Sequence, residues 1–430
     1  MEKETISIKY VPPKDNITYK SVLGVLHIWE DDSWKDASLA WKKSCYIHAG
    51  ITWNRVRVKG PDATKLLSRV SINNVYKWKM DKAKHLVMLN EEGLIMNHAL
   101  AQKEAEDEYS ITSGNPLPFY AELKQNNYDA EVDLLEDRFI FQMAGPLSLT
   151  VIEKVTQESQ RDVNFLQIKK VSIPGYDTEF ELCRIGMSGT LSYELRGPAE
   201  LAPEIYAKIV EDGREYDLKI LGWRTYTVNH FEGGYPQMGC NFANVPLNEE
   251  HYPDFIFTGS IDPSNHRARY RTPGEVDWLW MADLDHDFVG REALIKEKEN
   301  LRKTIVNLEW NVEDILDIAK SQYEDEEEYK NIEVPVGPQA PAGFHADLIT
   351  DLNGNEIGMS TATFYSYYYK KQYSQSIIDI DKAEIGTEVI IHWGDYGKKI
   401  KKVRAKVVRY PLLDLPENKG YDLSTVPSGI

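Results

Sequence analysis

The stretch LGWRTYTVNHFEGGYPQ (Leu221 to Gln237) fixes both a helix and the place where that helix must stop. Residues three and four apart fall on neighbouring turns, so Trp223, Tyr226 and His230 share one face, with Asn229 at its edge. Gly233 and Gly234 supply a left-handed stop, and Pro236 bars a restart. The face carries an indole, a phenol, an imidazole and a carboxamide. Such a stripe can stack on a flat ligand, hydrogen-bond it and move a proton. Taken alone, it suits half-buried residues with satisfied polar tips at least as well, since buried Tyr and His are common.

The totals narrow the function classes. A chain of 430 residues with 42% hydrophobic content is enough for two or three domains. Its net charge of -18 argues against nucleic acid, where a basic footprint is expected, and gives no reason to expect an anionic membrane surface as partner. The N-terminus, MEKETISIKYVPPKD, has no apolar core of signal-peptide length, and no run of about eighteen apolar residues is present to span a membrane. The three cysteines, Cys45, Cys183 and Cys240, are widely separated. They fit free thiols in a reducing, cytoplasmic setting better than a disulfide framework. None stands in a Cys-x-x-Cys pair and no His-x-x-x-His pattern occurs, so a metal site has no support. Aromatic content of 11% leans mildly toward a small-molecule pocket.

Along the chain, strands and helices alternate irregularly. A helix is expected around Trp34, Leu39 and Trp41. Val56 and Val58 alternate as a strand, Gly60-Pro61-Asp62 turns, and Ala63, Leu66 and Leu67 open a helix. His85 to Gln102 reads as a hairpin about Asn90-Glu91-Glu92-Gly93. The acidic run Glu324 to Glu328 reads as a solvated face. From Val334 onward the composition turns to short strands with turn signals, a small β-barrel or sandwich. The pattern predicts an α+β fold rather than a doubly wound sheet. No Gly-x-Gly-x-x-Gly, phosphate loop or Gly-x-Ser-x-Gly is present, so nicotinamide redox and serine hydrolysis lack a motif.

Several segments in order, KGPDATKLL (Lys59 to Leu67), MLNEEGLIMNH (Met88 to His98), QMAGP (Gln142 to Pro146), RIGMSGTLSYELRGP (Arg184 to Pro198), DHDFVGREAL (Asp285 to Leu294) and GMSTATFYS (Gly358 to Ser366), carry a resemblance. Together with the opening helix, they resemble the glycine-cleavage T-protein superfamily of tetrahydrofolate-dependent one-carbon transferases. Within it, SINNVYKW (Ser71 to Trp78), the Arg-x-Tyr-x-x-Asn pattern at Arg224, Tyr226 and Asn229, RKTIVNLEWNVEDI (Arg302 to Ile315) and IGTEVIIHWG (Ile385 to Gly394) look most like the O-demethylases of vanillate and syringate. The resemblance implies a three-domain cloverleaf around a folate channel, ending in a β-barrel. The expected division is a discontinuous folate-binding domain over 1–50 and 140–310, an inserted α+β domain over 51–139, and the barrel over 334–430.

The resemblance also assigns roles. Glu194 matches the family's pterin-recognising glutamate, and a carboxylate can accept the paired N–H donors of a pterin edge. Asn97, Trp223, Asn229 and Tyr367 are the further candidates for the tetrahydrofolate, and Thr52, Trp53 and Tyr365 those for the methyl donor. Tyr226 stands at the O-demethylases' catalytic tyrosine, with His230 or His98 assisting. The departures carry information too. Asn97 and His98 stand where T-proteins have two aspartates, so aminomethyl transfer is doubtful. Gly114 stands near the arginine that anchors vanillate's carboxylate, so a methylated donor without that anchor is preferred. The reaction expected is methyl transfer from a methoxy-type small molecule to N5 of tetrahydrofolate. The alternatives are demethylation of a sulfonium or methylamine, aminomethyl transfer, and a folate-binding module without turnover. A homo-oligomer is compatible with all of these.

Overall fold

The computed structural model describes residues 10–12, 14–22, 25–51, 55–112, 115–246, 256–333 and 343–430. It is an α+β protein with three main β systems. A six-stranded sheet runs Ile168–Ser172, Glu179–Cys183, Ser192–Pro198, Arg138–Ala144, Cys45–Ile51 and Leu218–Ile220 in spatial order. Only its last pair is parallel. A five-stranded antiparallel sheet is built from Ala83–Leu89, Ile95–Ala105, Glu108–Thr112, Arg55–Lys59 and Glu131–Leu135. The third system is a closed six-stranded barrel.

The barrel corrects one expected limit. Its first strand is Lys303–Trp310, paired to both Lys371–Asp379 and Lys401–Val408, so it begins upstream of residue 334 and takes a strand from the segment given to the folate-binding domain. The helix Val312–Ser321 follows it, and the acidic run after that helix is exposed, as a solvated face should be. Elsewhere the local readings hold: helices Trp34–Lys43 and Ala63–Val70 and the hairpin Ala83–Leu89/Ile95–Ala105 lie where the sequence puts them. Among the described residues, no helix is long and apolar enough to cross a membrane.

The six-stranded sheet is covered on both faces, and the two faces differ in chemistry. On one, Ile47, Phe141, Met143, Tyr193 and Leu195 pack under the helices Ser148–Thr156 and Ala202–Gly213 in the largest apolar core. Strand alternation sends Tyr46, His48, Gln142, Glu194 and Arg196 to the other face. There the helix Trp223–Gly233, the five-stranded sheet and the barrel close over them.

Candidate functional site

The central strands line up a buried polar row. His48 is opposite Gln142, and Gln142 is opposite Glu194, so three polar side chains stand abreast across three strands. All three are buried. Buried polar groups are normally hydrogen-bonded, and those that are not call for an explanation. Among the described residues, Gln142 Nε2 and His48 Nε2 have no partner. Gln142 spends its oxygen on the Tyr46 hydroxyl, which donates at 3.1 Å. Glu194 accepts from Arg196 at 2.7 Å, and Arg196 also donates to Gln102 of the five-stranded sheet, tying the two sheets together at the row.

The helix Trp223–Gly233 supplies the aromatic side of the site. Its end is the predicted one: Gly234 caps it in the left-handed region at φ 74°, where a residue with a Cβ is disfavoured. Several contacts hold that end. Glu232 pairs with the buried Lys42 and accepts from Ser366 at 2.6 Å, and Tyr410 donates to the Gly234 carbonyl at 2.7 Å. The helix thereby lays Tyr226 flat on His48, with ring centroids 3.8 Å apart and an interplanar angle of 8°. Trp223 stands 6.0 Å from Tyr226, and His230 meets its ring edge-on at 4.6 Å.

Protonation states follow from this packing. His48 Nδ1 lies 2.7 Å from the Leu221 carbonyl, which can only accept, so Nδ1 carries the proton and Nε2 is a bare acceptor. Burial pushes the pKa values of both His48 and His230 down to about 3, so both are neutral at physiological pH. Burial and then the charge of Glu194 push the Tyr226 phenol well above its ordinary value. Tyr226 is therefore a protonated donor beside a carboxylate and an imidazole acceptor.

The structure brings together Glu194, Tyr226, His230 and Trp223 from the expected set, and it places Asn229 behind them. Asn229 is buried, donates to the Tyr226 carbonyl at 2.9 Å and leaves its Oδ1 without a partner among the described residues. His98 reaches the site from the five-stranded sheet, near enough to His230 for the two imidazoles to act on one another electrostatically. Asn97 does not: neighbours on a strand point to opposite faces, and Asn97 lies on the face of Met88, Ala99 and Ala101, away from His98. Its expected place beside the folate is corrected on that ground. Tyr365 and Tyr367 pair edge-on at 5.1 Å, and Tyr367 packs on Trp34 at 4.2 Å, so neither joins the ring cluster around Tyr226. Thr52, Trp53 and Gly114 lie outside the described residues. His48 is the residue that sequence reasoning missed as a site group. Gly50 was its available signal, because a Cβ there would meet His48 Nε2 and Trp223 Nε1, both at 2.3 Å.

Comparison with known proteins bears on the family and the fold. Residues 26–245 match the family described as the GCVT N-terminal domain. A sesamin methylene transferase from Sinomonas sp. is 31% identical over 418 residues, covering 90% of this chain and 91% of that protein. The chain belongs to the glycine-cleavage T-protein superfamily. A syringate O-demethylase from Sphingobium sp. is 24% identical over 389 residues, covering 85% of this chain and 83% of that protein. The fold is that of the glycine cleavage system aminomethyltransferase T from Bartonella henselae, with a TM-score of 0.68 at 16% identity over 93% of this chain and 95% of that one. As a member of the T-protein superfamily, the protein is an enzyme of one-carbon transfer, and the family implies folate use.

The residues present suit a reduced pterin. Glu194 offers a carboxylate for paired N–H donors, and the orphaned Gln142 Nε2 and His48 Nε2 offer a donor and an acceptor on the same buried row.

Proposed function

We propose that this protein moves a methyl group from a methoxy-type small molecule to N5 of tetrahydrofolate. The observation that carries the reading is one buried face holding Glu194, the protonated Tyr226 phenol and an unpartnered His48 Nε2 together. Tetrahydrofolate, when bound, supplies the nitrogen lone pair that takes the methyl group. Glu194 grips the N–H edge of the pterin, and Arg196 holds Glu194 in place. Tyr226 donates to the oxygen as its bond to the methyl carbon breaks, which answers the main obstacle, a poor leaving group. His48, stacked on the phenol, fixes the ring and presents Nε2 as an acceptor to the pterin. The burial of His48, Glu194 and Tyr226 limits the water that can reach the transferring carbon.

Glu194, Trp223 and Asn229 are the cofactor-side residues of this reading, and Tyr226 is its catalytic residue. The test is to incubate the protein with tetrahydrofolate and a panel of methoxyaromatics, sulfonium compounds and methylamines, and to score methylated folate. The expected product is 5-methyltetrahydrofolate from methoxyaromatics. Product from the sulfonium or amine donors alone would overturn the leaving-oxygen role of Tyr226. A second reading is favoured by the likeness to the sesamin methylene transferase. A methylenedioxy donor also releases a phenolic oxygen, so the same phenol serves, and the folate product would be the methylene form.

A further inference from the structure

Transfer of a methyl group to a secondary amine leaves that nitrogen with one proton too many. With the leaving oxygen departing as an oxyanion, that proton needs a route to water from a site whose rings are buried or half-buried. A line of imidazoles leads outward from the phenol. His230 meets Tyr226 edge-on at 4.6 Å, and its Nδ1 is buried without a partner among the described residues. His98 lies on the five-stranded sheet, within electrostatic range of His230. His98 Nε2 lies 3.1 Å from Nδ1 of His85 on the neighbouring strand, with the two rings stacked at 18°. His85 in turn meets the edge-on face of Trp280, which is 69% exposed. Val87 lies directly opposite His98, and the indole of Trp278 packs on the His98 ring at 4.4 Å.

We infer that the His98–His85 pair is a proton relay connecting the transfer site with solvent, and that His85 is its outer member. The inference rests on the methyl-transfer reading above. In two neutral imidazoles sharing one hydrogen bond, one nitrogen donates and the other accepts. A proton arriving at His98 Nδ1 is matched by the Nε2 proton of His98 passing to Nδ1 of His85, and by the Nε2 proton of His85 passing to water. One bond to hydrogen forms and one breaks at each ring, and no redox partner is needed. The count closes over the reaction. Carbon–oxygen breaks and carbon–nitrogen forms, the nitrogen's proton leaves through His98 and His85 to water, and the released oxygen departs as an oxyanion under the hydrogen bond of Tyr226 and takes a proton from water once outside. Burial assists, because it keeps His85 (pushed down to about 4) and His98 neutral and ready to accept. His85 touches neither reactant here; it acts through His98.

The test is His85→Gln, which keeps a side-chain amide near His98 but cannot carry a proton through. The expected result is a fall in kcat of about 10- to 100-fold with KM for both reactants little changed, a larger solvent deuterium isotope effect, and partial rescue by added imidazole. Ring-nitrogen NMR on 15N-histidine-labelled wild-type protein, with tetrahydrofolate added, reads the pair without turnover. Complementary tautomers at His85 and His98 that exchange are expected. If the wild type turns over and His85→Gln matches it, the relay is overturned and the methyl-transfer reading stands. Rings with His85 Nδ1 and His98 Nε2 both fixed without a shared proton overturn it as well. No product from wild type with any donor sinks the reading instead, and the spectrum still decides whether the pair shares its proton.

Discussion

At the scale of single residues, the proposed site turns on one phenol stacked on an imidazole and within range of the charge of Glu194. Replacing Tyr226 by Phe keeps the ring on His48 and removes only the donor. Turnover should then fall about 10²–10⁴-fold, with folate affinity within a few-fold of wild type. Steady-state kinetics beside calorimetry separates the two, and wild-type turnover in that variant would take Tyr226 out of the chemistry. Glu194→Gln exchanges a charged acceptor for a half-acceptor of the same shape. A hydrogen bond to a charged group is worth about 1.5–3 kcal/mol, so tetrahydrofolate affinity should weaken by about one to two orders of magnitude. The melting temperature should fall too, because Arg196 loses its buried carboxylate. Unaltered folate affinity in that variant would assign Glu194 to structure alone. Glu194 and Tyr226 were legible as candidates because each sits in a sequence frame that a family shares. His48 was not, because a lone histidine on an apolar strand reads as a packed one. What marks it is its place beside Gln142 and Glu194, a juxtaposition across three strands from distant parts of the chain. Asn97 and His98 were legible in principle: the hairpin was correctly read, and its alternation already sends the two side chains to opposite faces.

At the scale of elements, signals that act over a few residues survived translation into structure, while those that depend on distant partners did not. The helix Trp223–Gly233 ends at its glycines because a left-handed cap needs no partner to be recognised. Gly234 is doubly constrained, by φ 74° and by Pro411, whose Cγ would lie 2.6 Å from an added Cβ. Gly234→Ala should therefore cost about 1–3 kcal/mol, the combined order of a left-handed penalty and overpacking. Urea unfolding would check it, and turnover should fall as well, since the same turn fixes how Tyr226 lies on His48. An unchanged unfolding midpoint would mean the cap is not what holds the helix end. The strand Lys303–Trp310 illustrates the opposite case. A helix and an acidic stretch separate it from the rest of the barrel. Its membership is decided by pairing with Lys371–Asp379 and Lys401–Val408, and strand preference is set by such neighbours more than by local composition. Tyr365 and Tyr367 were misplaced for a related reason. They flank the end of a barrel strand, and only the docking of that strand on Trp34 shows which way they face.

At the scale of the whole molecule, three β systems close around a face rich in polar groups, and that closure has a thermodynamic consequence in acid. His48 and His230 are buried in neutral form, with pKa values near 3, against an ordinary value of 6.5. Above pH 6.5 neither the folded nor the unfolded chain holds a proton on these rings, and their full contribution to stability is present. As pH falls below 6.5 the unfolded chain takes up protons that the folded chain refuses, so stability drops until the folded-state pKa near 3 is reached. The slope is at most about 1.4 kcal/mol per pH unit for each ring. Carboxylates held low by ion pairs, such as Asp314 beside Arg404, act in the same direction but only near and below their own ordinary value of 3.8. The interval from pH 6.5 down to about 4.5 therefore belongs mainly to the imidazoles. Urea midpoints measured across it should fall steadily in the wild type. His48→Phe, which keeps a ring against Tyr226 and removes one titrating group, should flatten the slope in that interval even if its stability at neutral pH is lower. A wild-type midpoint that stays level from pH 7 to 4.5 would mean that these rings gain protons in the folded state, and hence that the face beneath the helix is open to water.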